Sequence, residues 1–458
     1  MNRWKKSRPV FLIAIATGTM LNPLNSSMIA LALNSIQNDY KLSFTTVSWL
    51  VSGFYIVSAI GQPVTGKIGD LVGRKKMFLI GLLISAIAAF GAPLAPTFVL
   101  LLLMRILQAL GSSTLYPSGV ALVRSHVDHS KQASSLAILA IFASVMTAFG
   151  PTVGGFLIVW GGWQSIFTVN FPFILISFVL GWFVIPKSEK KKPIQLKTMI
   201  YRLDVPGILF FTVGMVSLLW FLLSLDQGAN KGSAVLGLFC FALFVWHEWR
   251  TKAPFIDLRL LKRNHALTLV YVLFVLVNVI NYCLFFGLPS YFQGAIHLGV
   301  RLSGAMMLFM SSASVLASLA TGRWADRAGT IRPIISSIAL TAAGSVLLLF
   351  ASAWSSLWII GGGMLFIGAG YGIANVALQS AMLDASPKDA VGASSGLFQT
   401  CRFLGSILAS AVLGLIFGKT VTPEHLFTLS LVLIGVSVPG FLLSLIFLRS
   451  GGRRGAVR

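Results

Sequence analysis

The sequence predicts an all-α polytopic membrane protein with fourteen transmembrane helices. They form two six-helix bundles related by a pseudo-two-fold, plus two helices inserted between the bundles. Three observations predict this. Apolar runs of about 20 residues, each enough to cross a bilayer, recur from end to end. The 458 residues are 56% hydrophobic and only 10% charged, against about 25% charged in a soluble chain. A short basic turn also occurs twice. Gly66, Asp70 and Gly73 are echoed by Gly322, Asp326 and Gly329, each displaced by 256 residues, as an internally duplicated transporter would show.

The helices are expected at about 9–33, 46–66, 77–96, 98–122, 133–158, 163–185, 205–225, 231–249, 266–292, 302–322, 331–351, 356–380, 390–418 and 426–448. The first and last six are the repeats, so the organisation is 1–200 for one bundle, 201–252 for the inserted pair and 253–458 for the other bundle. The basic start, Met1 to Pro9, resembles a signal peptide. Its apolar run continues to about residue 33, so it reads as an uncleaved first span.

Charge fixes the topology. With both termini cytoplasmic, 29 of the 35 Lys and Arg fall in inner segments. Four lie in outer loops (Lys41, Lys231, Arg301, Lys419) and two within spans (Arg105, Arg402). This is the positive-inside bias. It accounts for the +23 net charge as topology and implies no nucleic-acid partner. Lys187, Lys190, Lys191 and Lys192 lead into the inserted pair as a topology-setting run or a contact for anionic lipid. Between helices 8 and 9, Leu258, Leu260 and Leu261 alternate with Arg259, Lys262 and Arg263. The leucines could rest in the membrane interface while the cations face headgroups. Cys240, Cys283 and Cys401 sit in apolar runs, and neither a disulfide nor a metal is expected.

The repeated turn reads Gly66-Lys67-Ile68-Gly69-Asp70-Leu71-Val72-Gly73-Arg74-Lys75-Lys76. Gly66 and Gly73 permit tight turning. Asp70 can meet the positive end of helix 3, and Arg74 and Lys75 lie at the cytoplasmic face. Such a cluster reads as a latch between two conformations or as a simple topology anchor. On helix 4, Arg105, Gln108 and Ser112 share one face. An arginine deep in a span is costly and rarely faces lipid. That face is expected to line a central cavity, unless Arg105 is satisfied by backbone carbonyls. Helix 5 carries Gly150-Pro151-Thr152-Val153-Gly154-Gly155. Proline removes a helix hydrogen bond and glycines admit a neighbouring helix, so a bend and a tight seal are expected.

Together these residues resemble the major facilitator superfamily, in its fourteen-helix drug:proton antiporter branch. The turn resembles the superfamily's loop signature. Arg105-x-x-Gln108 resembles its arginine-x-x-glutamine-glycine motif, with Ala109 replacing the first glycine. The helix-5 block resembles its antiporter signature, with Met146 where a further glycine is usual. The resemblance implies export of small amphipathic compounds through a bacterial-type cell membrane, driven by protons, with the chain working as a monomer amid membrane lipid. No ATP-binding loop, zinc motif or nucleophile elbow is visible, so neither ATP drive, a cofactor nor an enzyme is expected.

The chain departs from the branch on helix 1. Asn25 stands where an aspartate is common, and asparagine carries no proton at physiological pH. None of the twelve acids falls at mid-membrane depth in either repeat. The expected proton carriers are therefore Asp226, a turn aspartate, or the substrate's own ionisation.

Polar residues on apolar spans mark the expected lining. They are Asn22 and Asn25 on helix 1, Asn278, Asn281 and Tyr282 on helix 9, Tyr371, Asn375 and Gln379 on helix 12, and Gln399 and Arg402 on helix 13. Each alone reads equally as helix–helix glue. Together, with two arginines and no core acid, they outline a chamber that favours neutral, zwitterionic or anionic amphiphiles over permanent cations. A dedicated exporter of one metabolite, lipid or siderophore is the near alternative. A transport-dead sensor is the distant one, disfavoured because no loop is long enough for a soluble domain.

Overall fold

The computed structural model describes residues 7–186, 204–224, 230–251, 254–354, 356–387, 391–418 and 420–452. Lys187, Lys190, Lys191, Lys192 and Asp226 lie outside them. Within these segments the chain is helices joined by short turns, as it must be where lipid offers backbone groups no partner. Along the first half run α1 (Arg8–Thr19), α2 (Leu21–Asp39), α3 (Phe44–Val47), α4 (Trp49–Val72), α5 (Arg74–Gly91), α6 (Phe98–His126), α7 (His129–Gly161), α8 (Ser165–Thr168) and α9 (Asn170–Val184). There follow α10 (Val205–Ser224), α11 (Lys231–Arg250), α12 (Leu258–Arg263), α13 (His265–Gly294), α14 (Val300–Ala328), α15 (Ile331–Trp354), α16 (Leu357–Ala385), α17 (Val391–Phe417) and α18 (His425–Gly452).

Twelve helices among the described residues are long and apolar enough to cross a membrane. Two expected spans are not in that set. The first, 9–33, is interrupted at Met20 between α1 and α2. Pro23 offers no N–H to the Thr19 carbonyl, which explains why the interruption falls there. The other is α7, which runs 33 residues, though among its described side chains only the shorter apolar stretch Phe149–Gly161 is counted.

The chain divides into two compact units. One comprises Met1–Lys41 with Trp49–Thr212, the other Leu42–Ser48 with Val213–Arg458. In the first, Phe78 of α5 is fully buried among Phe11 and Ile15 of α1, Leu115 of α6 and Ile174 of α9. Gly18 makes room for it, since a Cβ there would lie 2.6 Å from the Phe78 ring. At one end of this unit Trp163 Nε1 donates to Asp39 at 2.6 Å, and Tyr40 Oη donates to the Ala95 carbonyl at 2.7 Å. Burial, and then the neighbouring Asp39 carboxylate, raises the Tyr40 phenol above its ordinary pKa, so it stays a donor.

The second unit is built on α13. Leu267, Leu273 and Phe274 pack with Ile334 of α15, Leu378 of α16 and Phe398 of α17. Its tightest seam joins α14 to α16. A Cβ on Gly368 would stand 2.1 Å from the Met310 carbonyl oxygen, and one on Gly372 would stand 2.1 Å from that of Ser314. Both obstacles are backbone, so no rotamer change relieves them. Gly372→Ala is expected to destabilise the protein by about 1–3 kcal/mol or more through overpacking. Gly362→Ala, with open space around its Cβ, should be neutral or gain up to about 1 kcal/mol of helix propensity. Thermal unfolding of the two variants in detergent checks the contrast.

Candidate functional site

Among the described residues Arg105 of α6 is the largest fully buried side chain, only 1% exposed. Its guanidinium donates through NH1 to Gln108 Oε1 at 2.6 Å, through NH2 to the Asn25 carbonyl of α2 at 2.9 Å, and through Nε to the Leu50 carbonyl of α4 at 3.4 Å. Cζ lies 4.1 Å from the centroid of the Phe54 ring. Arg105 thus ties three helices, mostly by the backbone carbonyls that the structural reading anticipates. Arginine can only donate, so the Gln108 atom facing it is the carbonyl oxygen. The amide nitrogen of Gln108 is left buried with no hydrogen-bond partner. One turn on, Ser112 accepts from Asn22 Nδ2 at 3.1 Å. Asn25 is buried and enters the cluster through its carbonyl. The expected face therefore carries two polar contacts one turn apart, Arg105 with Gln108 and Asn22 with Ser112, with Phe54 an added member of the first.

The helix-5 block packs as its glycines suggest. A Cβ on Gly150 would lie 1.8 Å from Ser27 Oγ, and one on Gly154 would lie 3.2 Å from the Met28 Cβ. Pro151 and Gly155 are buried, and α7 runs unbroken through the proline. The Ser27 hydroxyl donates to the Met146 carbonyl at 3.1 Å, so the residue that replaces the usual glycine contributes its backbone to the contact.

At the repeated turn the helices run further than expected. α4 continues to Val72 and α14 to Ala328, each ended by a glycine with positive φ, Gly73 at 110° and Gly329 at 74°. These two positions need glycine. Gly66 and Gly322 lie inside the helices, where an added Cβ would meet Pro117 at an ordinary 3.7 Å in one case and nothing in the other. Asp70 and Asp326 fall in the last turns of α4 and α14; their side chains lie outside the described residues. The basic residues serve carbonyls. Arg74 NH1 donates to Gly66 O at 2.8 Å, and Lys75 Nζ donates to Trp182 O and Ile185 O at 2.7 and 2.6 Å. Lys75 thereby caps the negative end of α9.

In the second unit, Asn278 is fully buried, donates to Phe274 O at 2.7 Å and accepts from Tyr371 Oη at 3.4 Å. Arg402 NH2 donates to Asn375 Oδ1 at 3.2 Å. Its Cζ lies 5.9 Å from the Phe274 ring, which stacks on Phe398 at 3.7 Å. Gln399 Oε1 is buried and unpartnered. These residues form a second cluster around an arginine. Asn281 and Tyr282 are buried on α13, with Tyr282 stacked on Phe286, while Gln379 is exposed and stands apart. Each arginine also has aromatic rings beside it, Phe54 in the first unit and Phe274 with Phe398 in the second, which side-chain polarity alone does not flag. The signal for them is an aromatic in a span that also carries an arginine partner.

Residues 15–410 match the family model described as Major Facilitator Superfamily. The chain belongs to the major facilitator superfamily. It is 56% identical over 432 residues to the uncharacterized MFS-type transporter YwoD of Bacillus subtilis (strain 168), covering 94% of this chain and 95% of that one. It is 26% identical to the tetracenomycin C resistance and export protein of Streptomyces glaucescens, covering 90% and 76% of the two chains. It is 27% identical to multidrug resistance protein Stp of Mycobacterium tuberculosis (strain CDC 1551 / Oshkosh), covering 88% and 74%. Among solved structures, peptide transporter POT in complex with sulfate shares the fold, with a TM-score of 0.71 at 15% identity over 97% of this chain and 94% of that one. This superfamily member is a multi-pass membrane transporter and not an enzyme.

Proposed function

We propose that this transporter exports small amphipathic compounds by alternating access, in exchange for protons. The observation that carries the reading is likeness over about nine-tenths of the chain to one protein named for export and another for multidrug resistance. The Gly150 and Gly154 packing supports it as a tight helix seam. In this reading the chain crosses a bacterial-type cell membrane fourteen times as a monomer with both termini cytoplasmic. The α1–α2 pair forms one span and α7 another, and α10 and α11 are the inserted pair. Arg105 and Gln108, with Asn22 and Asn25, form one substrate or coupling group. Arg402, Asn375, Tyr371, Asn278 and Gln399 form the other, with Asn281, Tyr282 and Gln379 as outlying members. The turns around Asp70 with Arg74 and around Asp326 gate the cytoplasmic side.

Among the described side chains, coupling has no mid-span carboxylate to use. Among the described side chains the buried carboxylates are Asp204 and Glu248, near helix ends, and each accepts a backbone N–H. The carrier is therefore Asp226, a turn aspartate or the substrate. Each cluster holds an arginine, which favours neutral, zwitterionic or anionic amphiphiles. Vesicles with a trapped pH dye and an imposed gradient test this. Several unrelated amphiphiles should each collapse the gradient, while quaternary ammonium compounds should not. A dedicated exporter is the second reading, favoured because the Streptomyces relative is named for one compound. Response to a single compound would select it.

A further inference from the structure

The segment that follows α11 is built as a fixed platform. Glu248, 1% exposed, accepts the Ile256 N–H at 3.2 Å. Asp257 caps α12, accepting from the N–H groups of Arg259 and Leu260 at 3.1 and 3.0 Å. The far end is held by Asn264 Nδ2, which donates to the Ala385 carbonyl at 2.7 Å, and by Thr268 Oγ1, which donates to Leu261 O at 2.7 Å. Leu260 and Leu261 pack against the core of the second unit. Two of the three leucines expected to rest in the membrane interface, Leu260 and Leu261, are thus spent on protein. What α12 presents outward is charge, since Arg259, Lys262 and Arg263 are all exposed.

Two indoles flank those cations. Trp246 and Trp249, in the last turns of α11, are 54% and 39% exposed. The Arg250 Cζ stands 4.4 Å from the Trp246 ring centroid and Lys262 Nζ 5.4 Å from that of Trp249. The Arg259 guanidinium donates to the Trp249 carbonyl. Three of these cations, Arg250, Lys262 and Arg259, are therefore anchored on the last turn of a helix that is long and apolar enough to cross a bilayer, and Arg263 lies one turn beyond Arg259 on α12. The carboxylates among them, Glu248 and Asp257, are both bound to backbone N–H groups.

We propose that this platform binds the phosphate of an anionic phospholipid, with Arg250, Arg259, Lys262 and Arg263 around the headgroup and the two tryptophans at its junction with the acyl chains. Tryptophan at a span's end settles at headgroup level. Cations over indole faces are held there. A lipid phosphate supplies the charge this cluster lacks, and its acyl chains cover the exposed indole edges, which a free anion cannot do. The proposal is independent of what the protein exports.

The test uses the full chain in vesicles of phosphatidylglycerol and phosphatidylcholine, with one or the other carrying brominated acyl chains at equal mole fraction. Subtracting the Trp246→Phe, Trp249→Phe double variant isolates the two indoles. Brominated phosphatidylglycerol should quench them at least about twofold more than brominated phosphatidylcholine. In the Arg259→Gln, Lys262→Gln, Arg263→Gln variant the two lipids should quench alike, and Arg250→Gln alone should reduce the preference. Equal quenching in the unaltered protein would overturn the proposal. So would a preference that survives all these substitutions, or one that millimolar inorganic phosphate abolishes.

Discussion

Replacing Arg105 with alanine should abolish transport, and replacing it with lysine should lower transport at least about tenfold while leaving the protein folded. The reasoning starts from what the guanidinium touches. The Asn25 and Leu50 carbonyls also belong to helices, where they accept from their own chain four residues on, so neither is orphaned when Arg105 is lost. The loss falls elsewhere. Gln108, whose amide nitrogen is already unpartnered, would lose the partner of its oxygen too, at about 1–3 kcal/mol for a buried polar group. The space over Phe54 would empty, and the arginine that ties α2, α4 and α6 together would be gone. Lysine keeps the charge but has a compact ammonium instead of a planar fork. It cannot reach Gln108, Asn25 and Leu50 together. The measurement is paired: thermal unfolding in detergent and substrate flux in vesicles for both variants. If Arg105→Lys unfolds near the unaltered temperature and also transports at the full rate, the fork geometry has no role and only the charge matters.

Much of this was legible in one dimension. Helices follow from apolar runs, and the displaced turn suggests two repeats. The repeat also explains an error made twice in the same way. The sequence predicts helix ends at Gly66 and Gly322, yet the helices run on to Val72 and Ala328, just before Gly73 and Gly329. A glycine inside a helix costs only about 1 kcal/mol against alanine, whereas a residue at positive φ ends the helix, and composition cannot separate the two. Arg105 with Gln108 was legible because residues three apart share a face. Lateral partners were not. Nothing in the spacing says that Ser112 meets Asn22, that Lys75 caps α9, or that Leu260 and Leu261 dock on protein instead of lipid. An apolar face satisfies either environment, and only packing decides.

The Gly150 contact yields a sharper test, because its obstacle can be removed. A Cβ at Gly150 would lie 1.8 Å from Ser27 Oγ and 2.7 Å from Ser27 Cβ, so turning the hydroxyl aside does not suffice. To restore ordinary carbon–carbon contact, α7 and α2 would have to separate by about 1 Å. Gly150→Ala is therefore expected to cost about 1–3 kcal/mol and most of the transport rate. Gly154→Ala should cost less, since its nearest neighbour is 3.2 Å away and a small shift of Met28 accommodates it. Ser27→Ala, combined with Gly150→Ala, removes only the nearer atom and should rescue in part. Ser27→Gly with Gly150→Ala removes both atoms and should rescue further, less the cost of a new helix glycine and of the lost bond to Met146 O. Proteoliposome leak and transport, measured across the four variants, decide the matter. A Ser27→Gly, Gly150→Ala protein no better than Gly150→Ala alone would mean that the glycine matters for backbone flexibility beside Pro151. The seam would then be a hinge in α7 instead of a seal against α2.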